Sequence, residues 1–191
     1  MPVRRSQAHP GPPRRLPVGT GMDFAGGWQA APGFVQHRLR GDVGAQRLLV
    51  GHVLETYAGA WGFAQGLGGL SHTIARHEFG TEAGERVQAV ALLCRAAPPS
   101  DPPGRLAGLP AGCGRDLTGG HRAAATFLDH FIRRDAAAQH LVLRRTLATG
   151  AGAWGLVVGL ADVGIAFAEE RFGSGAGWAR ALTERVHGAH R

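Results

Sequence analysis

The ten histidines are the first side chains in this sequence to weigh for chemistry. His72, His77 and Glu78 bring metal-ligating atoms close together along the chain. The spacing of the two histidines sets them well apart around a helix, so surface residues are expected here and no metal site. Cys94 and Cys113 belong to no CxxC pair, serine is scarce, and no nucleophile stands beside a base. Acid/base and nucleophilic catalysis therefore have no visible residues, and neither an enzyme nor a cofactor is expected. Lysine is absent altogether, which excludes a Walker-type phosphate site and imine chemistry. Arg40-Gly41-Asp42 spells a cell-adhesion tripeptide, but a chain this rich in Arg and Gly produces such a triplet by composition. What remains is binding chemistry.

The polar residues of most interest occur twice. His37 and Arg40 recur as His130 and Arg133, and the same shift of 93 positions places Ala58-Gly59-Ala60-Trp61-Gly62 on Ala151-Gly152-Ala153-Trp154-Gly155. Without a gap it also places Phe34 on Phe127, Asp42 on Asp135, Gln46 on Gln139, Leu48 on Leu141, Thr56 on Thr149 and Phe79-Gly80 on Phe172-Gly173. A register held that long marks an internal duplication whose unit is close to the size of a small domain. Polar residues kept in both copies either satisfy a neighbouring carbonyl or acid or bind a ligand. Trp61 and Trp154 read as core anchors, because aromatic bulk stabilises mainly through burial.

The elements that position these residues read as helices. Trp28 to Leu39 forms a first helix across the interruption of Pro32-Gly33, since its Ala-rich counterpart His121 to Arg134 has no proline. Ala31–Val35 and Arg47–Val50 can also be paired strands, a reading that the same Ala-rich counterpart opposes. Val43 to Glu55, with Asp42 as N-cap, and Asp135 to Leu147 give a second helix in each copy. Short third helices are expected at 58–67 and 151–160, where Ala and Gly allow close approach, and short fourth helices at 74–79 and 165–172, ended by Gly80 and Gly173. Residues 96–120, rich in Pro and Gly, do not suit a packed element. The expected architecture is all-α: a disordered basic leader (1–21), a four-helix repeat (22–95), a linker (96–115), a second pseudo-symmetric repeat (116–186) packed with the first as one domain, and a tail (187–191).

The chain has 191 residues, of which 44% are apolar, enough to bury a core. Its net charge of +7 and isoelectric point near 11.2 come entirely from arginine, in a composition that GC-rich coding produces. The arginines are spread along the chain with no continuous basic stripe, so a nucleic-acid partner is not expected. The first residues lack the apolar run of a secretory signal, and two unmatched cysteines suit a reduced, cytoplasmic setting. Ala148 to Ala168 is apolar enough for a membrane span and holds Gly155-xxx-Gly159. Against a span, Asp162 lies inside it, and the matching stretch carries Gln65, His72 and Arg76.

Val43-Gly44-Ala45-Gln46-Arg47-Leu48-Leu49-Val50-Gly51 resembles the VGTEHLLLG segment of the amino-terminal domain of Clp chaperones, in which a duplicated four-helix unit forms one compact helical domain. Ala136-Ala137-Ala138-Gln139-His140-Leu141-Val142-Leu143 looks like its second occurrence, and Gln65-Gly66-Leu67-Gly68 is similar to the LxxLG that closes the family's third helix. Ile74-Ala75-Arg76-His77-Glu78-Phe79-Gly80 looks like the fourth-helix end of free-standing actinobacterial members. Family members usually carry Glu where Gln46 and Gln139 stand, and a neutral amide makes hydrogen bonds about half as strong as a charged group does. The resemblance implies a non-catalytic module that binds peptides or proteins, such as Clp protease components, adaptors or clients, and serves ATP-dependent proteolysis. Its contact residues would be Gln46, Arg47, Gln139 and His140, beside the second helix of each copy. The alternative is a small Gly-rich membrane-associated protein.

Overall fold

The computed structural model describes residues 21–95, 106, 109 and 114–172. It is all-helical, with no strand among the described residues. The elements are α1 (Phe24–Leu39), α2 (Val43–Val53), α3 (Tyr57–Phe79), α4 (Ala83–Arg95), α5 (Gly114–Ile132), α6 (Ala136–Thr146) and α7 (Gly150–Phe172), with one 3-10 turn (Gly80–Glu82) between α3 and α4. The segments that admitted a strand reading, Ala31–Val35 and Arg47–Val50, lie in α1 and α2.

Local chemistry repeats at the shift seen in the sequence. Asp42 caps α2 by accepting from the Ala45 N–H at 2.9 Å, and Asp135 caps α6 from the Ala138 N–H at 3.0 Å. The Thr56 hydroxyl caps α3 at the Gly59 N–H (2.9 Å), and Thr149 caps α7 at the Gly152 N–H (3.0 Å). Bounds agree as well: Val43–Val53 matches Ala136–Thr146, and Tyr57–Phe79 matches Gly150–Phe172.

Helix α3 packs along α1, α7 packs along α5, and α3 and α7 meet in the middle, with α4 against α3, α5 and α7. The Ala- and Gly-rich α3 comes close enough to α1 that a Cβ on Gly62 would collide with the Phe24 carbonyl, and one on Gly27 with the Gly59 carbonyl. The core is aromatic where the two sets of helices join. Phe34 of α1 meets Trp154 of α7 edge-on at 6.1 Å, and Phe127 of α5 meets Trp61 of α3 edge-on at 6.1 Å, the same two positions exchanged. Trp154 is buried, as expected of an anchor, and Trp61 is half-buried.

Three expectations about the elements need correction. Pro32 does not interrupt α1; the ring removes the N–H that would have met the Trp28 carbonyl, and that carbonyl lies over Gly66 of α3. The short third and fourth helices do not exist separately: α3 and α7 each run unbroken for 23 residues. The glycines that looked like a break are packing positions, with Gly68 beneath the Phe131 ring and Gly69 beneath the Trp28 indole. The Pro/Gly-rich stretch is not wholly without packed structure, since α5 begins at Gly114 and Leu106 is buried in the core. The leader, most of the linker, the end of the second repeat and the tail lie outside the described residues.

By length and composition Gly150–Glu169 could cross a membrane, and 83% of its most apolar window is buried inside the fold.

Candidate functional site

The two glutamines at the centre of the signature turn inward. Gln46 and Gln139 are 2% and 4% exposed. The Gln46 side-chain N–H donates to the His37 carbonyl at 3.3 Å, and that of Gln139 donates to the His130 carbonyl at 3.1 Å. These carbonyls sit in the last turns of α1 and α5, where intrahelical donors run out, and each also accepts a backbone N–H at 2.9 Å, from Asp42 or Asp135. The recurrence of His37, Asp42 and Gln46 thus records a corner that fastens α2 to α1, and α6 to α5.

Arg47 and His140, one position further, part company. Arg47 is exposed. His140 stacks on Trp61 with ring centres 3.8 Å apart, and its Nδ1 shares a 2.7 Å hydrogen bond with the Tyr57 hydroxyl. Arg144 lies 5.8 Å over the Tyr57 ring. Gly51 and Gly150 stand at the positions equivalent to Arg144 and Tyr57, so this stack, made by α3 and α6 together, has no twin. Beside Arg47 and His140, Leu48 and Leu141 are 77% and 52% exposed. They are matched leucines that neither half buries.

A second divergence runs through the glutamines. The Gln65 side-chain N–H donates to Gln139 Oε1, completing that amide's bonding. Val158 stands where Gln65 would be, and Gln46 Oε1 is buried with no hydrogen-bond partner among the described residues. The buried Trp154 indole N–H is likewise without one.

Beside Gln139 lies a pocket of about 890 Å3 between α3, the start of α4 and the corner joining α5 to α6. Phe131 and Ile132 form an apolar wall, while His72, Arg76 and Arg134 bring basic groups and Gln65 an amide. No carboxylate lines it among the described residues. Burial, and then the charges of Arg76 and Arg134, hold the His72 imidazole below its usual pKa of 6.5. Arg134 is the one non-glycine residue with positive φ among the described residues, at 59°. Its counterpart Gly41 has φ 67°, so the same corner is built with a side chain that costs about 1–2 kcal/mol more in this conformation.

His77 pairs with Glu78 at 3.0 Å, away from His72, and no three His, Cys, Asp or Glu side chains among the described residues could hold a metal. Arg133 pairs with Asp129 at 3.1 Å, and Arg40 is exposed. Arg76, Arg134, Tyr57 and Gln65 were not among the expected site residues, because the duplication draws attention to what the copies share. Their signal lies in the mismatches: Arg76 against Glu169, Arg134 against Gly41, Gln65 against Val158.

No family model, no curated protein and no solved structure matches the chain.

Proposed function

We propose that the chain is a non-catalytic peptide- or protein-binding module, built of two pseudo-symmetric tandem repeats packed as one domain. In the manner of the Clp amino-terminal domain that its signatures resemble, it would serve adaptor or substrate recognition linked to ATP-dependent proteolysis. The observation that carries this reading is the matched exposure of Leu48 and Leu141 on the second helix of each set, beside Arg47 and His140. Apolar side chains left in water at equivalent positions cost nothing to keep only if something covers them or if they are scattered singly; their coincidence with the signature favours the first. The contact surface accordingly shifts from Gln46 and Gln139, which are buried, to Arg47, Leu48, His140 and Leu141. A membrane-associated role is the alternative, and the burial of 83% of the apolar window of α7 favours a core helix over a span.

The test is retention of purified Clp ATPase, its protease partner or an unfolded client such as casein on the immobilised chain. Retention of one of these, lost in the double variant Leu48→Glu/Leu141→Glu, supports the reading. Retention of none, or equal retention by the double variant, overturns it.

A further inference from the structure

We propose that the pocket between α3, α4 and the α5–α6 corner binds an organic carboxylate with an apolar body, its charge held by Arg76 and Arg134 and its body laid against Phe131 and Ile132. This does not depend on the partner-binding reading above, which uses the outer faces of α2 and α6.

The pocket is large enough for a ligand of small-molecule size and is lined by both apolar and donor groups, as such sites are. Arg76 and Arg134 make no ion pair among the described residues. Guanidinium groups are planar forks that match a carboxylate, and elsewhere in this fold Arg38 shows the pairing, with Nη2 on Asp162 Oδ2 at 2.9 Å and Nε on Oδ1. That ion pair is informative by position. Arg38 corresponds to Phe131, and Asp162 corresponds to Gly69 beside the Phe131-covered Gly68. Where one contact between the halves holds an Arg–Asp pair, the equivalent contact has an aromatic ring and a glycine beside the pocket.

The remaining positions diverge in the same sense. His72 stands against Ile165, Arg76 against Glu169 and Arg134 against Gly41. Each of these three changes places a polar or cationic group at the pocket and an apolar, acidic or small one at the equivalent place. General arginine enrichment would not sort the pocket from the equivalent place on the other side of the pseudo-symmetric core in this way. The Arg134 backbone is held in a conformation that glycine serves in the other half. Phe131 and Ile132 argue for an organic anion over inorganic phosphate, whose hydration shell an apolar wall would strip without return.

Isothermal titration calorimetry on the full chain tests this with hexanoate, 3-phenylpropanoate and inorganic phosphate, and with a short peptide ending in Leu as its free acid and as its amide. Saturable binding of an organic carboxylate, at least tenfold weaker in both Arg134→Gly and Arg76→Glu and unchanged in Arg122→Ala, supports the proposal. Arg134→Gly installs the residue that the twin corner uses, so lost binding there is not lost folding. The peptide pair locates the source: binding of the free acid but not the amide points to a chain terminus, and binding of the small acids alone to a metabolite. Absence of saturable binding by all the carboxylates, equal binding by both pocket variants, or phosphate binding as tightly as the apolar acids overturns it.

Discussion

The twin glutamines should differ in what they contribute to stability, although they occupy matched positions in matched helices. Gln139 has both ends engaged: it donates to the His130 carbonyl at 3.1 Å and accepts from Gln65. Each such bond is worth about 0.5–1.5 kcal/mol net, and Gln139→Leu also leaves the Gln65 donor without its partner, so a loss of about 2 kcal/mol is expected. Gln46 keeps only a longer bond of 3.3 Å to the His37 carbonyl, while its Oε1 is already buried without a partner. An unsatisfied buried acceptor costs about 1–3 kcal/mol, and Gln46→Leu removes it together with the bond, so the net change should lie within about 1 kcal/mol of zero. For a domain of this size the difference amounts to a gap of several degrees in Tm, on the order of 2–4 °C per kcal/mol. Thermal and urea unfolding of the two variants, followed by circular dichroism at the helical band, measures it. If Gln46→Leu destabilises as much as Gln139→Leu, the divergence of the two corners is not what these side-chain contacts imply.

Other expectations follow from single positions. Arg134→Gly should raise stability by about 1 kcal/mol, read as a higher urea midpoint, because glycine adopts the positive φ of 59° without penalty. Gly62→Ala should destabilise by more than about 3 kcal/mol, since its methyl meets the Phe24 backbone, whereas Gly51→Ala, with nothing within 4 Å of the added carbon, should stabilise by about 0.5–1 kcal/mol; chemical denaturation of the pair checks both. His72, held below 6.5 by burial and by Arg76 and Arg134, takes up fewer protons in the folded than in the unfolded state between its lowered pKa and 6.5. Its contribution is therefore complete above pH 6.5 and lost as pH falls through that window, and a pH series of unfolding midpoints should be flatter over it for His72→Gln than for the parent chain.

Much of the fold is legible in the sequence because it rests on local chemistry. Asp42, Asp135, Thr56 and Thr149 are caps by residue type, and Gly80 ends α3 with a positive φ that suits glycine. The merged α3 is not legible in this way: Gly68 and Gly69 read as a break until Phe131 and Trp28 are seen to lie over them, and those contacts are made by α5 and α1. Pro32 is equally misleading, since its tolerance depends on what its freed carbonyl faces across an interface. Shared residues such as Gln46 and Gln139 mark what both corners need for folding, which is why the signature points at buried amides and not at a surface. Arg76, Arg134 and His72 are distant in sequence and differ from their counterparts, so only a comparison of mismatches, with the helices in place, draws them together.

The measurement that bears most directly on the account is the set of contacts made by the two tryptophans, read from inter-ring nuclear Overhauser effects in the full chain. The exchange of partners between the halves predicts cross-peaks from Trp61 to Phe127 and from Trp154 to Phe34, each ring pair being 6.1 Å apart. Cross-peaks confined to Trp61 with Phe34 and Trp154 with Phe127 would mean that each half closes on itself, and would contradict the joint core on which the pocket and the proposed contact surface rest.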